Sequence, residues 1–171
     1  GVVLCAELDK KAEELKQAAQ TVSYISIDKK NVAIVVIADV IKEEAKETIQ
    51  ILKKMGMTPV MITGDNEVTA KAVAKELEIE EVLAEVLPNQ KSEKIKELQS
   101  KDGKRNIIAM VGDGINDAPA LASSDIGIAM GTGTDVAIES AGITLLKGNV
   151  SLVPKAIKLS KSTMKNIKQN L

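Results

Sequence analysis

Between residues 58 and 145, short apolar runs alternate with longer stretches whose apolar positions recur every three or four residues. Runs of the first kind read as strands buried on both faces, and stretches of the second kind as amphipathic helices. The pattern predicts strands at 58–62, 82–84, 106–109, 125–130 and 143–145. Between them it predicts helices at 66–77 and 88–99, the second opened by Pro88, then a helix starting over 118–122 and a helical turn at 136–140. Asn116 or Asp117 is the expected cap of the 118–122 helix, and Pro119 is tolerated in its first turn. Strand and helix in regular alternation argue a parallel sheet with helices on both faces.

Both ends of the chain follow a different pattern. Leu8, Ala12, Leu15 and Ala19 sit at helical spacing among Lys and Glu, an amphipathic surface helix over 8–19. Residues 21–27 and 32–38 read as two strands joined by a turn at 28–31, a hairpin suited to a small antiparallel cap. A helix follows at 43–55, with Ala45, Ile49 and Leu52 on one side and Gly56 as its terminator. At the other end, residues 151–171 place Leu152, Ala156, Leu159, Met164 and Ile167 on one stripe and five lysines elsewhere. No repeat of solenoid period is present.

Composition narrows the chemistry. The 171 residues are 44% hydrophobic with a formal charge of −1, enough for a core and no pointer to nucleic acid. Tyr24 is the only aromatic residue, so base-stacking platforms are excluded. No histidine is present to serve as base, nucleophile or ligand. Arg105 is the only arginine, so any phosphate contact falls to point-charge lysines. Cys5 stands alone, which fits a reducing compartment and a packing role. The longest apolar run, 32–38, is far short of the roughly 20 residues of a membrane helix. The first four residues, Gly1-Val2-Val3-Leu4, read as the middle of a longer protein.

Four short strings at strand ends carry the candidate chemistry. Thr63-Gly64-Asp65-Asn66 follows an apolar strand, so the Thr63 hydroxyl and the amides that follow can hold a phosphate. Lys91 falls in the first turn of a helix, where it opposes the helix dipole, which suggests another use for its charge. In Gly112-Asp113-Gly114-Ile115-Asn116-Asp117, the glycines allow close approach of an anion, and Asp113 and Asp117 suit a hard cation such as Mg²⁺. The loop at 131–135 is glycine-rich, and Asp135 reads as a turn or cap residue. Ligands of open α/β sheets bind where all four gather, at the carboxyl ends of the strands.

Taken together these strings resemble the P-type ATPases, in the haloacid dehalogenase-like superfamily. The resemblance rests on Met61-Ile62-Thr63-Gly64-Asp65-Asn66, Ala84-Glu85-Val86-Leu87-Pro88-Asn89-Gln90-Lys91, Val111-Gly112-Asp113-Gly114-Ile115-Asn116-Asp117-Ala118-Pro119-Ala120-Leu121 and Gly131-Thr132-Gly133-Thr134-Asp135-Val136-Ala137. Ile115, Gly131 to Asp135 and Ile138-Glu139-Ser140-Ala141 are most similar to the heavy-metal branch and, within it, to copper exporters. The resemblance implies a three-layer, Rossmann-like α/β fold with a parallel sheet and a small antiparallel hairpin. It divides the chain into the end of a nucleotide-binding domain at 1–38, a phosphorylation domain at 39–150 and, at 151–171, a stalk helix leading toward a membrane span outside this sequence. It implies that Thr63 and Lys91 contact the phosphoryl group, with Gly64 and Asp65 at the phosphate, and that Asp113 binds Mg²⁺. Asn116 and Asp117 orient that site, supported by Gly112 and Gly114. ATP and a transported heavy-metal cation belong to the parent protein, whose loop lies at the cytoplasmic face of a membrane; the piece itself is expected to be soluble.

The departures from the family's pattern shape the expectation further. The phosphorylated aspartate of the family lies in Asp-Lys-Thr-Gly-Thr, and that string is not in this sequence. Phosphoryl transfer needs a nucleophile, a charge clamp and a cation, so the chain by itself is expected to be inactive. In the superfamily the nucleophile strand runs between the strands ending at Thr63 and Asp113, so two facing edges are expected to want a partner. Its partners are then the remainder of the same ATPase: nucleophile strand, nucleotide-binding, actuator and membrane domains. Asp39, at the end of an apolar strand, is the local substitute to weigh against a simple capping role. A soluble phosphatase of the same superfamily and a catalytically silent binding or assembly module are the alternative readings.

Overall fold

In the computed structural model, residues 6–17, 20–37, 41–113, 115–131, 135, 139–146 and 148–170 are described. The N-terminal hairpin pairs β1 (Thr21–Ile27) with β2 (Lys30–Ile37) in antiparallel register. Its turn is shorter than the four residues expected. Asp28 and Lys29 both take positive φ, 51° and 62°, the geometry of a two-residue turn that matches strand twist. Lys30 and Asn31 therefore join the ladder, and the buried Asn31 accepts a 2.6 Å hydrogen bond from the Ser26 hydroxyl. Helix α1 (Ala6–Gln17) packs on the hairpin through Ala12, and the Tyr24 hydroxyl donates to Asp9 at 2.7 Å.

Two parallel sheets follow. Strand β3 (Val60–Ile62) pairs with β4 (Glu81–Leu83), and β5 (Ala109–Gly112), β6 (Ile126–Met130) and β7 (Ile143–Leu145) form the second. Helices α2 (Glu43–Lys54), α3 (Glu67–Glu76), α4 (Lys91–Gln99) and α5 (Ala118–Ser123) connect these strands, and α6 (Leu152–Gln169) follows β7. This is the α/β fold expected, with a parallel three-stranded sheet and a small antiparallel hairpin. The helix expected over 88–99 opens instead as a 3₁₀ turn, Pro88–Gln90, and becomes α-helical only at Lys91. The strand expected at 106–109 lies three residues later. The Asn106 N–H is taken by the Gln99 carbonyl and the Ile108 N–H by the Asp125 carboxylate, so the ladder with β6 starts at Ala109. The shift sets Gly112 at the strand end and makes Asp113 the first residue beyond it.

One core joins the two sheets. Ile95, Met110, Ala120 and Leu121 are buried together, with Ile62 of β3 and Ile108 packed against them. No ladder joins β3 to β5, so among the described residues each has one edge without a partner. A second cluster holds Ile128, Met130, Leu145 and Val153, with Leu52, Ala156 and Ile157 around it, and anchors the first turns of α6.

Asp125 bolts three segments together just before β6. Its carboxylate accepts from the Ile108 N–H at 2.9 Å, the Gln99 amide at 3.0 Å and the Arg105 guanidinium at 2.6 Å. The Ile108 and Gln99 donors, then Arg105, hold its carboxyl below the usual range. A depressed folded-state pKa gives stability that is full above the unfolded value, about 3.9, and is lost as pH falls through the folded value. Asp125→Ala is therefore expected to lower the urea midpoint at pH 7 and to differ little from the parent once pH falls below the folded value. Urea titrations at several pH values measure this; a gap that is unchanged in acid would refute it.

Candidate functional site

The loop after β3 is built around the Thr63 hydroxyl. That hydroxyl donates to the Asp65 carboxylate at 2.7 Å and accepts from the Asp65 N–H at 3.1 Å. The expected phosphate donors are thus turned on each other, and Asp65 presents an anion to the threonine where a phosphate oxygen was expected. Asn66 caps α3, its side chain accepting from the Thr69 N–H at 3.0 Å. The facing loop comes from β4. Glu85 takes φ 55°, a left-handed turn uncommon for such a residue, and its N–H donates to the Asp65 carbonyl while the Val86 N–H donates to that of Thr63. No property of Glu85 as a residue type marks this role in the sequence; only its match to the family string singles it out.

From Val86 the chain runs directly into the 88–90 turn, which contacts the short 3₁₀ turn Ile115–Asp117 after β5. This contact links the two halves of the site. Lys91, at the start of α4, reaches across to Asp117, with Nζ 2.7 Å from Oδ1. The two side chains are only 16% and 13% exposed, so water screens the pair little. This carboxylate is the partner of a lysine that stands against its own helix dipole. Asp117 occupies the cap position of α5, yet its side chain makes no capping bond because it is committed to Lys91.

The Asp117 carboxylate also lies flat against the strand end. A Cβ at Gly112 would stand 2.7 Å from Asp117 Cβ and 2.9 Å from its Oδ2, so only glycine fits there. Asp113 follows directly, exposed, and among the described residues it has no hydrogen-bond or ion-pair partner. The carboxylates of Asp113 and Asp117 lie at this end, and the first has no partner among the described residues, which suits a hard cation that keeps several waters. Among the described residues no cluster of three or more acidic, histidine or cysteine side chains is in reach of one ion, so the two aspartates do not form a closed protein cage. Asn116 is exposed beside them. Gly114, Asp39 and most of the 132–138 loop lie outside the described residues. Thr63 with Asp65, and Lys91 with Asp117 and Gly112, are the groupings the structure brings together.

Against known proteins, residues 2–125 match the haloacid dehalogenase-like hydrolases. The chain is 54% identical over 164 residues to a copper-exporting P-type ATPase of Staphylococcus haemolyticus, covering 96% of this chain and 20% of that protein. It is 53% identical over 166 residues to a copper-exporting P-type ATPase of Legionella pneumophila, covering 97% of this chain and 22% of that protein. It therefore spans about a fifth of the length of these relatives. Its structure superposes on the crystal structure of a zinc-transporting PIB-type ATPase in the E2.Pi state with a TM-score of 0.87 at 37% identity, covering 97% of this chain and 27% of the other.

Proposed function

The chain belongs to the haloacid dehalogenase-like hydrolases, and on that footing we propose that it is a segment of a heavy-metal P-type ATPase of the copper-exporting kind. In this reading it carries the Mg²⁺- and phosphate-binding parts of an aspartyl-phosphate site, and another segment of the same protein brings the nucleophile. One observation carries the reading. Strands β3 and β5 share a core without a ladder between them, and Thr63 and Asp113 stand just past their carboxyl ends. An extended segment entering between them satisfies both edges and delivers its own carboxyl end to the same opening. The identity to copper exporters over nearly the whole chain supports copper as the cargo.

The residues divide the work as follows. The Thr63 hydroxyl turns its proton from Asp65 to a phosphoryl oxygen, exchanging one charge-assisted hydrogen bond for another. Lys91 keeps its positive charge beside the phosphoryl group during transfer between ATP and the nucleophile, with Asp117 fixing the ammonium in place. Asp113 and Asp117 are the residues that would hold Mg²⁺, which when bound would neutralise charge on the phosphoryl oxygens. Among the described residues no helix is long and apolar enough to cross a membrane, so the cation path belongs to other parts of the parent.

The test is a Mg²⁺ titration of the chain, followed by NMR, with and without inorganic phosphate. Two carboxylates and no closed cage give an expected Kd on the order of millimolar, tightened when phosphate supplies further oxygens. Asp113→Asn is expected to remove both the binding and its coupling to phosphate. Unchanged isotherms in that variant would overturn the site, and through it the proposed function.

A further inference from the structure

The short turn ahead of Lys91 has no core of its own. Leu87, Pro88, Asn89 and Gln90 are all exposed, whereas Val86 before them is buried and the next buried side chain is Ile95, a full turn into α4. A segment with so few packed side chains takes its shape from hydrogen bonds. Gln90 bonds Leu87 at both of its backbone groups. The Gln90 N–H donates to the Leu87 carbonyl at 2.9 Å, and the side-chain Oε1 of Gln90 accepts from the Leu87 N–H at 3.1 Å. This is the reciprocal closure that a glutamine gives three residues past a helix cap. Pro88, between the two, fixes its own φ and has no N–H to add.

The turn stands between the two groupings of the site. On its upstream side the Glu85 N–H donates to the Asp65 carbonyl at 2.9 Å and the Val86 N–H to the Thr63 carbonyl at 3.0 Å, which ties it to the Thr63 loop. On its downstream side Lys91 reaches Asp117 at 2.7 Å. We infer that Gln90 is a positioning residue for the phosphoryl site. Its side-chain bond to Leu87 holds the turn in the one shape that sets the root of Lys91 at a fixed place relative to the Thr63 hydroxyl. Lysine is a point charge on a flexible stem, so a root that wanders spreads the charge over positions of which few serve the phosphate. Gln90 is neutral, and its effect on phosphate passes through Lys91. The inference rests on the proposed function for its ligand; the hydrogen bonds that carry it belong to the turn itself.

Two variants separate the bond from the rest of the side chain. Gln90→Met keeps the length and the helix preference and removes the acceptor. Gln90→Glu keeps the acceptor and adds a negative charge. Inorganic phosphate titrated in the presence of Mg²⁺ and followed by NMR is expected to bind roughly threefold more weakly to Gln90→Met, the worth of one exposed hydrogen bond. Mg²⁺ alone should bind that variant as it binds the parent. Gln90→Glu is expected to bind phosphate more tightly than Gln90→Met. Its charge works against the anion, so that order reports the restored acceptor. Hydrogen exchange supplies a readout that needs no ligand: the Leu87 and Val86 amides should lose protection in Gln90→Met and keep it in Gln90→Glu. Unchanged phosphate affinity in Gln90→Met, or Gln90→Glu binding no better than Gln90→Met, would overturn the inference. So would an equal loss of Mg²⁺ binding, which would mark general damage to the site. A parent chain that binds no phosphate strikes the proposed function instead, and the protection of the two amides then decides whether Gln90 holds the turn.

Discussion

Gly131→Ala is expected to be strongly destabilising, since among the described glycines its Cβ would meet the closest backbone atoms. Gly131 follows β6, and its N–H donates to the Leu145 carbonyl as the ladder with β7 closes. A Cβ there would stand 2.5 Å from Leu146 Cα and 2.6 Å from the Leu145 oxygen. Both atoms belong to backbone, which cannot rotate aside as a side chain can. Relief requires β7 to move, and β7 carries Ile143 and Leu145 of the core that anchors α6. Overpacking of this kind costs typically 1–3 kcal/mol, and the rigidity of the obstacle argues for about 3. For a domain of this size that lowers Tm by roughly 6–12 °C. Gly64→Ala is the comparison, since its nearest neighbour is the Val86 oxygen at 3.6 Å, an ordinary contact. Thermal melts by circular dichroism measure both, and equal melting temperatures would show that the β6–β7 closure is not tight.

Lys91→Met has the second large effect, and it separates stability from binding. Removing the ammonium leaves Asp117, 13% exposed, without its partner. Breaking a fully buried pair costs 3–5 kcal/mol, and the residual exposure of this one argues for about 2–3. Phosphate binding should fall tenfold or more, because the lysine charge proposed to face the phosphate is gone. The double variant Lys91→Met, Asp117→Asn removes both charges, so most of the stability should return while phosphate binding stays lost and Mg²⁺ binding falls as well. Urea unfolding and the phosphate titration together decide it. Full phosphate affinity in Lys91→Met would remove this lysine from the site.

The recurrent strand-and-helix rhythm, the site strings and the family were legible in the sequence because they are local properties. Apolar runs of three to seven residues and helical spacing of Ala70, Ala74, Ile95 and Leu98 depend only on nearest neighbours along the chain. The same holds for the Asn66 cap, which reaches three residues forward, and for Pro88, which cannot occupy a helix interior. Where reach along the chain was longer, the reading slipped. The strand at 109–112 starts late because Asp125, seventeen residues on, claims the Ile108 N–H, and no pattern near Ile108 announces that. The hairpin turn is two residues because both Asp28 and Lys29 accept positive φ, although neither is the glycine that usually marks such a turn.

The sequence by itself marked the candidates for the proposed site: a threonine, a lysine and two aspartates at strand ends, in a recognisable order. Only the tertiary structure decided how they are spent. Lys91 and Asp117 are 26 residues apart and meet because α4 and α5 pack on one core. The Glu85 and Val86 N–H groups bond the Asp65 and Thr63 carbonyls, which holds the loop after β4 against the loop after β3. The unpaired edges of β3 and β5 are likewise visible only in three dimensions. An unfilled ladder is a relation between strands 47 residues apart, from Ile62 to Ala109, and every backbone donor along such an edge needs a partner that the local sequence does not name.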